Sequence, residues 1–439
     1  MDIYYKPTIK MNNLDRNNRL YQQSIMMNDK SIKITDRLKF IKFLLDETDI
    51  KPLLDLSSYY DQTEYFHEDI NKGTYSFTNV ISKIGGKIKY VKSGSTGHTF
   101  KGIFHPDETQ KHVCIHYAVK VVAYPVEHND VHDSTRPENA ELKILKILSQ
   151  FVITNQTPHI VLPLTAFNAY IDPFINLKTN KFISNKKYDT FVDRYNKGEF
   201  HNTVSILLSE WANGGDLLEY MRNNLQNMDL KEWRVMLFQL LSVLAVIQKR
   251  YPGFRHNDLK ANNILIHKMD ETINGNFFTY QIDNVTFYVP NIGYQIKLWD
   301  FDFACISGIA ENSKVNSEWT NKINISNRQN RYYDICFFMV SLQKPGFLHH
   351  FRNSKDVPDI VIEFFDSIVP PSLLNSELIN ERGRLLCDLE YTTPVEILLS
   401  HPFFNKFRLR DERVEENSFK PSGEYLLTKI LSKLKNNKK

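Results

Sequence analysis

Residues 255–265 read Arg255-His256-Asn257-Asp258-Leu259-Lys260-Ala261-Asn262-Asn263-Ile264-Leu265, and the apolar run continues into Ile266. Asp258 and Asn263 stand five apart with Lys260 between them. On a loop leading into a strand, that spacing offers a carboxylate for a hydroxyl to be deprotonated and an ammonium for a transferring phosphate. It also offers an amide ready to ligate a metal ion. Phosphoryl transfer needs this set, because its catalysis is mostly positioning and charge neutralisation. Asn and Asp are equally common in a polar turn between a helix and a strand. The segment alone leaves that plainer reading open, so its flanks decide.

Immediately upstream, residues 230–249 carry Trp233, Leu237, Leu240, Leu241, Leu244 and Ile247 along one side, and Asp229 with Glu232 fits a capping box. This core helix delivers the chain to the loop. Downstream, 268–294 is polar with short strand-like pieces and reads as an insertion. Gln295–Phe303 then reads as a buried strand ending in acids. Asp300 at its end suits Mg²⁺, which takes one or two carboxylates plus phosphate oxygens. Asp302 reads as a turn residue. The stretch 304–330 is polar and unpatterned, so a mobile loop is expected. Asp334 caps a buried helix running to Leu342, and Thr393–Phe404 reads as a short helix ended by proline.

Farther upstream, strand-like sequence begins near Tyr75. Gly94 and Gly97 fall in a hairpin ahead of Ile103, where backbone N–H groups can approach an anion, although hairpin glycines often serve only the turn. Residues 113–123 read as a buried strand carrying one charge, Lys120, between Val119 and Val121. An ammonium there needs a partner. Glu141 supplies one, because it shares a helical face with Leu145 and Leu148. The alternative is an edge strand with its lysine in water. A strand is expected at 159–164, a polar surface insertion at 168–203 and another strand at 204–210. After Gly214-Gly215, Asp216 caps a helix.

Composition sets the outer bounds. The 439 residues suffice for two or three domain-sized units, with 42% hydrophobic and 24% charged residues, ordinary for a soluble globular chain. Formal charge is 55 − 51 = +4, too small to argue for nucleic acid. The four cysteines form no C-x-x-C pair, so neither a zinc site nor a disulfide framework is indicated. No run approaches the ~18 apolar residues of a membrane span, and the polar start is no signal peptide. Residues 1–30 are Asn-rich and read as irregular, a helix is expected near 35–46, and 424–435 read as a basic amphipathic helix. That helix is expected to dock on the body, with membrane contact the lesser alternative.

In order, these pieces resemble the eukaryotic-type protein kinase family over roughly residues 76–409, and the order of eight motifs argues against coincidence. The resemblance implies an α+β, bilobal fold: a small antiparallel β-sheet lobe with one key helix at 76–212, and a larger, mainly helical lobe at 213–409. Residues 1–75 are then an N-terminal extension and 410–439 a C-terminal helix. It implies an ATP·Mg²⁺ site between the lobes and a protein substrate. By it, Gly94 and Gly97 cover the phosphates, and Lys120, paired with Glu141, holds the α- and β-phosphates. The hinge after Ser209, with Glu210 and Ala212, binds adenine, and Asp216 reaches the ribose. Asp258 is the catalytic base, Lys260 neutralises the γ-phosphate, and Asn263 with Asp300 holds the metal ions.

The departures are informative. Lys92 stands where the first loop glycine is usual, Asp302 follows Asp300-Phe301 where glycine is usual, and no Ala-Pro-Glu closes the activation segment. Asn257 replaces the arginine that ordinarily pairs with a phosphorylated activation loop. Activity is therefore expected not to need that phosphorylation, and replacing Ser307, Ser313, Ser317, Thr320 and Ser326 together with alanine should leave turnover largely intact. The whole looks most like the divergent serine/threonine kinases of large DNA viruses of the poxvirus and giant-virus type. That resemblance implies work in the infected-cell cytoplasm or packaging into the virion. Two rivals stay open: a choline- or aminoglycoside-type kinase, against which Lys260 argues, and a pseudokinase scaffold, for which the full residue set is superfluous.

Overall fold

The computed structural model describes residues 67–408 apart from 86, 95, 105–114, 128–129, 178–185, 270–276, 316 and 349, together with 2–4, 41, 45 and 48–54. The sequence reading at 424–435 lies outside these residues, as does Cys114. In the stretch 35–46 only Ile41 and Leu45 are described, both helical and buried. The chain divides into two compact units, 1–155 with 161–211, and 156–160 with 212–439. The fold is α+β.

The first unit is an antiparallel sheet. Strand β1 (Asp2–Tyr4) pairs with β2 (Lys87–Ser93), although 1–30 was expected to be irregular. The order continues through β3 (Gly97–Phe104), β4 (Ile115–Pro125) and β6 (Phe200–Glu210) to β5 (Pro163–Tyr170). Helix α1 (Phe77–Ile84) occupies the place where a strand was expected. Phe77, Val80, Ile81 and Ile84 form a buried helical stripe, and Ser76 accepts the Asn79 N–H at its start. Helix α2 (Pro137–Ile153) packs on β5.

Two further expectations are corrected in this unit. The run 159–164 is not one strand. His159 and Ile160 belong to the second unit, where Leu298 N–H donates to His159 O, whereas β5 starts at Pro163. Short apolar runs carry no signal for which sheet they join. The stretch 168–203, expected to be a surface insertion, contains the end of β5, the short α3 (Asp172–Ile175), α4 (Lys186–Asn196) and the start of β6. Helix α4 buries Tyr188 and Phe191 against His98 of β3, with ring centroids 5.4 and 4.3 Å from the imidazole.

In the second unit, α5 (Leu217–Asn224) leads to α6 (Leu230–Arg250), buried along most of its length. Asp229 caps α6 by accepting the Glu232 N–H, but the box is not closed: the Glu232 carboxylate accepts from the Tyr220 hydroxyl at 2.7 Å. Short strands follow: β7 (Phe254–Arg255), β8 (Ile264–Lys268), the hairpin β9 (Phe277–Ile282) and β10 (Val285–Pro290), β11 (Tyr294–Leu298) and β12 (Cys305–Ile306). The hairpin packs Tyr280 and Phe287 on Phe238 of α6. Helices α7 (Glu318–Asn321), α8 (Tyr333–Leu342), α9 (Asp359–Ile368), α10 (Pro371–Leu374) and α11 (Pro394–Ser400) complete it. No helix among the described residues is long and apolar enough to cross a membrane.

The segment 304–330 is not the mobile loop that its lack of pattern suggested. Strand β12 pairs with β7, and Cys305, Val315 and Ile325 form a buried cluster with Phe303 and Ile323 against it. Buried polar side chains supply the rest of the order. Asn312 donates to the carbonyls of Asp302 and Ala304 at 3.0 Å, and the buried Thr320 hydroxyl bonds backbone carbonyls at 315 and 317.

Two buried imidazoles make stability pH-dependent. Burial lowers the pKa of His98 to about 4 and that of His159 to about 3. An unfolded histidine titrates near 6.5, so below that pH the unfolded chain binds protons that the folded chain refuses. The stability these neutral rings confer is complete above pH 6.5 and drains away as pH falls toward 4. At pH 5 each costs about 2 kcal/mol. Thermal unfolding at pH 7 and pH 5 should show a clear loss for the parent and a smaller one for His98→Phe. An unchanged pH slope in that variant removes His98 from the account.

Candidate active site

In the first unit, Lys120 of β4 lies in register between Thr99 of β3 and Leu207 of β6. Its Nζ donates to Glu141 Oε1 of α2 at 2.6 Å. The glutamate is buried, whereas the lysine side chain keeps 18% of its surface exposed. The pair therefore holds a positive charge in place without sealing it from a ligand. Gly94 and Gly97 flank the β2–β3 turn. At Gly97 the requirement is the hairpin's own, because a Cβ would stand 1.8 Å from the Val121 carbonyl oxygen on β4. A Cβ at Gly94 would have room. Glu210 is occupied locally, its carboxylate accepting the Leu162 N–H at 3.0 Å.

The main stretch of the second unit begins at Ala212. Asp216 caps α5 through Oδ1, which accepts the Glu219 N–H at 2.9 Å. Asp258 is the centre of a set of donors. Its Oδ2 accepts from Lys260 Nζ at 2.8 Å and from Asn263 Nδ2 at 2.9 Å, and its Oδ1 accepts from Arg384 Nη2 at 2.5 Å. Since Asn263 spends Nδ2 on Asp258, its acceptor atom Oδ1 is the one left to meet a cation. Strand β8 starts just after Asn263 and pairs Ile264 with Leu298 at the end of β11. Trp299 N–H donates to Asn263 O at 3.1 Å, so Asp300 follows directly from the residue tied to Asn263. Asp300 holds a left-handed backbone, φ 63°, as does Asn257, φ 62°. Non-glycine residues at such angles persist where the surroundings over-determine them, often at functional sites.

Asp334 does not cap α8, contrary to expectation. It lies in the first turn, buried, and accepts the backbone N–H groups of His256 at 2.7 Å and Asn257 at 2.9 Å. Burial raises its pKa, against the lowering effect of His256, those N–H groups and Arg255. His256 in turn reaches Trp299 O at 3.1 Å. Asn257 Nδ2 donates to the carbonyls of Phe303 and Ser326 at 3.0 and 3.1 Å, joining both ends of the 303–326 segment to the loop that carries Asp258. Asp302, at the position where glycine is usual, pairs with Lys314.

Two arginines were given no role in the sequence reading. Arg255 is fully buried, donates to Ser326 Oγ and Asn324 O at 2.7 Å, and stacks 3.8 Å from the Tyr333 ring centre. Arg384 lies 126 residues from Asp258 in an unpatterned stretch, and no local signal marks it. These contacts also correct the five-alanine experiment. Ser326 accepts from Arg255, and Thr320 is buried and bonded, so alanine at either would disturb packing regardless of phosphorylation.

The sequence profile of the poxvirus serine/threonine protein kinases matches residues 112–366. The chain belongs to that family. It is 42% identical over 409 residues to an Acanthamoeba polyphaga mimivirus protein whose name places it among serine/threonine-protein kinases, with 89% of this chain and 86% of that one covered. A second mimivirus protein so named is 26% identical over 296 residues, 60% of this chain and 73% of its own. An invertebrate iridescent virus 6 protein whose name places it among serine/threonine-protein kinases shares 38% over 65 residues, 15% of this chain and 12% of its own. This viral-type chain is therefore a serine/threonine protein kinase. The small-molecule kinase and scaffold readings are not favoured.

Proposed function

We propose that this kinase works as a bilobal enzyme, with 76–212 the smaller lobe and 213–409 the larger, and that Asp258 is the base toward the protein hydroxyl. The observation that carries the reading is the set of donors converging on the Asp258 carboxylate, with Asn263 and the strained Asp300 tied to the paired ends of β8 and β11.

The residues present suit ATP and Mg²⁺. The Lys120 ammonium is held yet partly exposed, and Asn263 and Asp300 offer the oxygen donors that Mg²⁺ prefers. ATP supplies the γ-phosphoryl group and Mg²⁺ neutralises charge on it. Lys120, fixed by Glu141, binds the α- and β-phosphates. Gly94 lets the hairpin backbone approach them, and Gly97 keeps that hairpin closed. The backbone at Glu210 and Ala212 receives the adenine, and Asp216 offers Oδ2 to the ribose, its Oδ1 serving the helix. Lys260, with 28% of its side chain exposed, turns from Asp258 toward the phosphate. Asp258 Oδ2 then takes the hydroxyl proton. Incubation with ATP and either casein or choline tests the substrate class, with phosphate expected on casein serine and threonine alone. The viral relatives support work in the infected-cell cytoplasm.

The activation segment is already tied down without a phosphate, through Asn257, Arg255 and the Asp302–Lys314 pair. Ser307→Ala with Ser313→Ala, which spares the committed hydroxyls, should leave kcat within about twofold, as should phosphatase treatment. A loss beyond about tenfold in both sinks the idea.

A further inference from the structure

We propose that Arg384 is a positioning residue for phosphoryl transfer, its planar guanidinium holding the Asn257 carbonyl oxygen with one nitrogen and Asp258 Oδ1 with the other, so that Oδ2 faces the incoming hydroxyl. The inference rests on the reading of Asp258 as base. Arg384 lies outside residues 112–366, the span matched by the family profile.

A carboxylate on a short side chain turns easily, because its terminal torsion has a broad, two-fold profile. Something must therefore fix which oxygen faces the substrate. Lys260 and Asn263 both act on Oδ2, and Lys260 is needed elsewhere during transfer. Arg384 Nη2 takes Oδ1 at 2.5 Å, and Nη1 donates to the carbonyl of Asn257, the residue immediately before the base. A rigid fork across two neighbouring acceptors sets position and rotation together. The fork is itself fixed. The guanidinium carbon sits 4.3 Å from the Phe337 ring centre, Nη1 reaches Tyr333 Oη at 3.2 Å, and the side chain is 8% exposed.

The loop bearing the arginine is pinned as well. Asn380 Oδ1 accepts the Arg384 N–H at 2.9 Å, and Asn380 N–H donates to Arg384 O at 3.0 Å. Gly383 takes φ 90°, and a Cβ there would press on the Ser341 backbone of α8 at 3.0 Å. A guanidinium cannot give up its proton in a protein, so Arg384 is not itself an acid or a base. Nor does it cover the oxygen that works, because it occupies Oδ1 alone.

The test uses the full chain, ATP and casein. Arg384→Gln should lower kcat about 100-fold while KM for ATP stays within about twofold. Arg384→Lys should lose about tenfold, because one ammonium cannot span both acceptors. Millimolar guanidine should restore part of the activity of Arg384→Ala. On an Asp258→Asn background, Arg384→Gln should cost nothing further, since the orientation of the carboxylate no longer matters. A kcat for Arg384→Gln within about threefold of the parent, or above it, overturns the proposal. So does an equal further loss on the Asp258→Asn background, which would make the arginine a scaffold residue. Should Arg384→Gln not fold, Arg384→Lys decides, and full activity there refutes the fork. Retained activity in Asp258→Asn alone refutes the base assignment instead, so the two failures are told apart.

Discussion

Asp258→Asn should lower kcat about 10³-fold with little change in KM for ATP, measured by phosphate transfer to casein. The expectation follows from what the substitution keeps and removes. An asparagine fills the same space, and its oxygen can still accept from Arg384. It cannot take the hydroxyl proton, and its amide nitrogen meets the donors Lys260 and Asn263 instead of accepting from them. Asp258→Ala is the blunter change, because it strips a partner from the buried Arg384 guanidinium. Breaking such a pair typically costs about 3–5 kcal/mol, so lost activity would be confounded with lost stability. Melting curves of both variants separate the effects. Undiminished kcat in a folded Asp258→Asn enzyme would end the account of Asp258 as base.

Lys120→Met should lower kcat/KM for ATP by about 10²–10³-fold, read from initial rates over a range of nucleotide concentrations. Lys120 is held on a central strand of the sheet, between β3 and β6, and its charge is fixed by Glu141 at 2.6 Å. Methionine preserves the stem but removes the charge proposed to meet the phosphates. Glu141→Gln should cost less, about tenfold, because the ammonium remains but loses its anchor. The two losses should not add in the double variant, since the glutamate acts through the lysine. Full additivity would mean that Glu141 serves the fold of α2 and not the lysine. A Lys120→Met enzyme with parental kcat/KM would exclude the lysine from the phosphate site.

Much of the candidate site was legible because its chemistry is compressed into short stretches. Asp258, Lys260 and Asn263 lie within six residues, and their mutual contacts follow from one loop. Lys120 and Glu141 were linked by a buried apolar strand whose one charge needs a partner and by a helical face that carries the acid inward. Helix α1 was misread as a strand although Ser76 and the spacing of Phe77, Val80, Ile81 and Ile84 carry the helical signal. The segment 304–330 lacked any period because its order comes from buried hydrogen bonds and a small cluster, not from an apolar stripe.

By itself, then, the sequence determined the class of chemistry and the candidate residues for it, since acid, ammonium and amide stand at fixed spacing on one loop. Only the tertiary structure decided which groups restrain them. Arg384 reaches Asp258 across 126 residues, Asp334 holds the backbone of His256 from α8, and Asn257 binds the segment after Asp300. Such partners are chosen by proximity in the folded chain. A buried donor needs an acceptor wherever the packing brings one, and no local spacing records that choice.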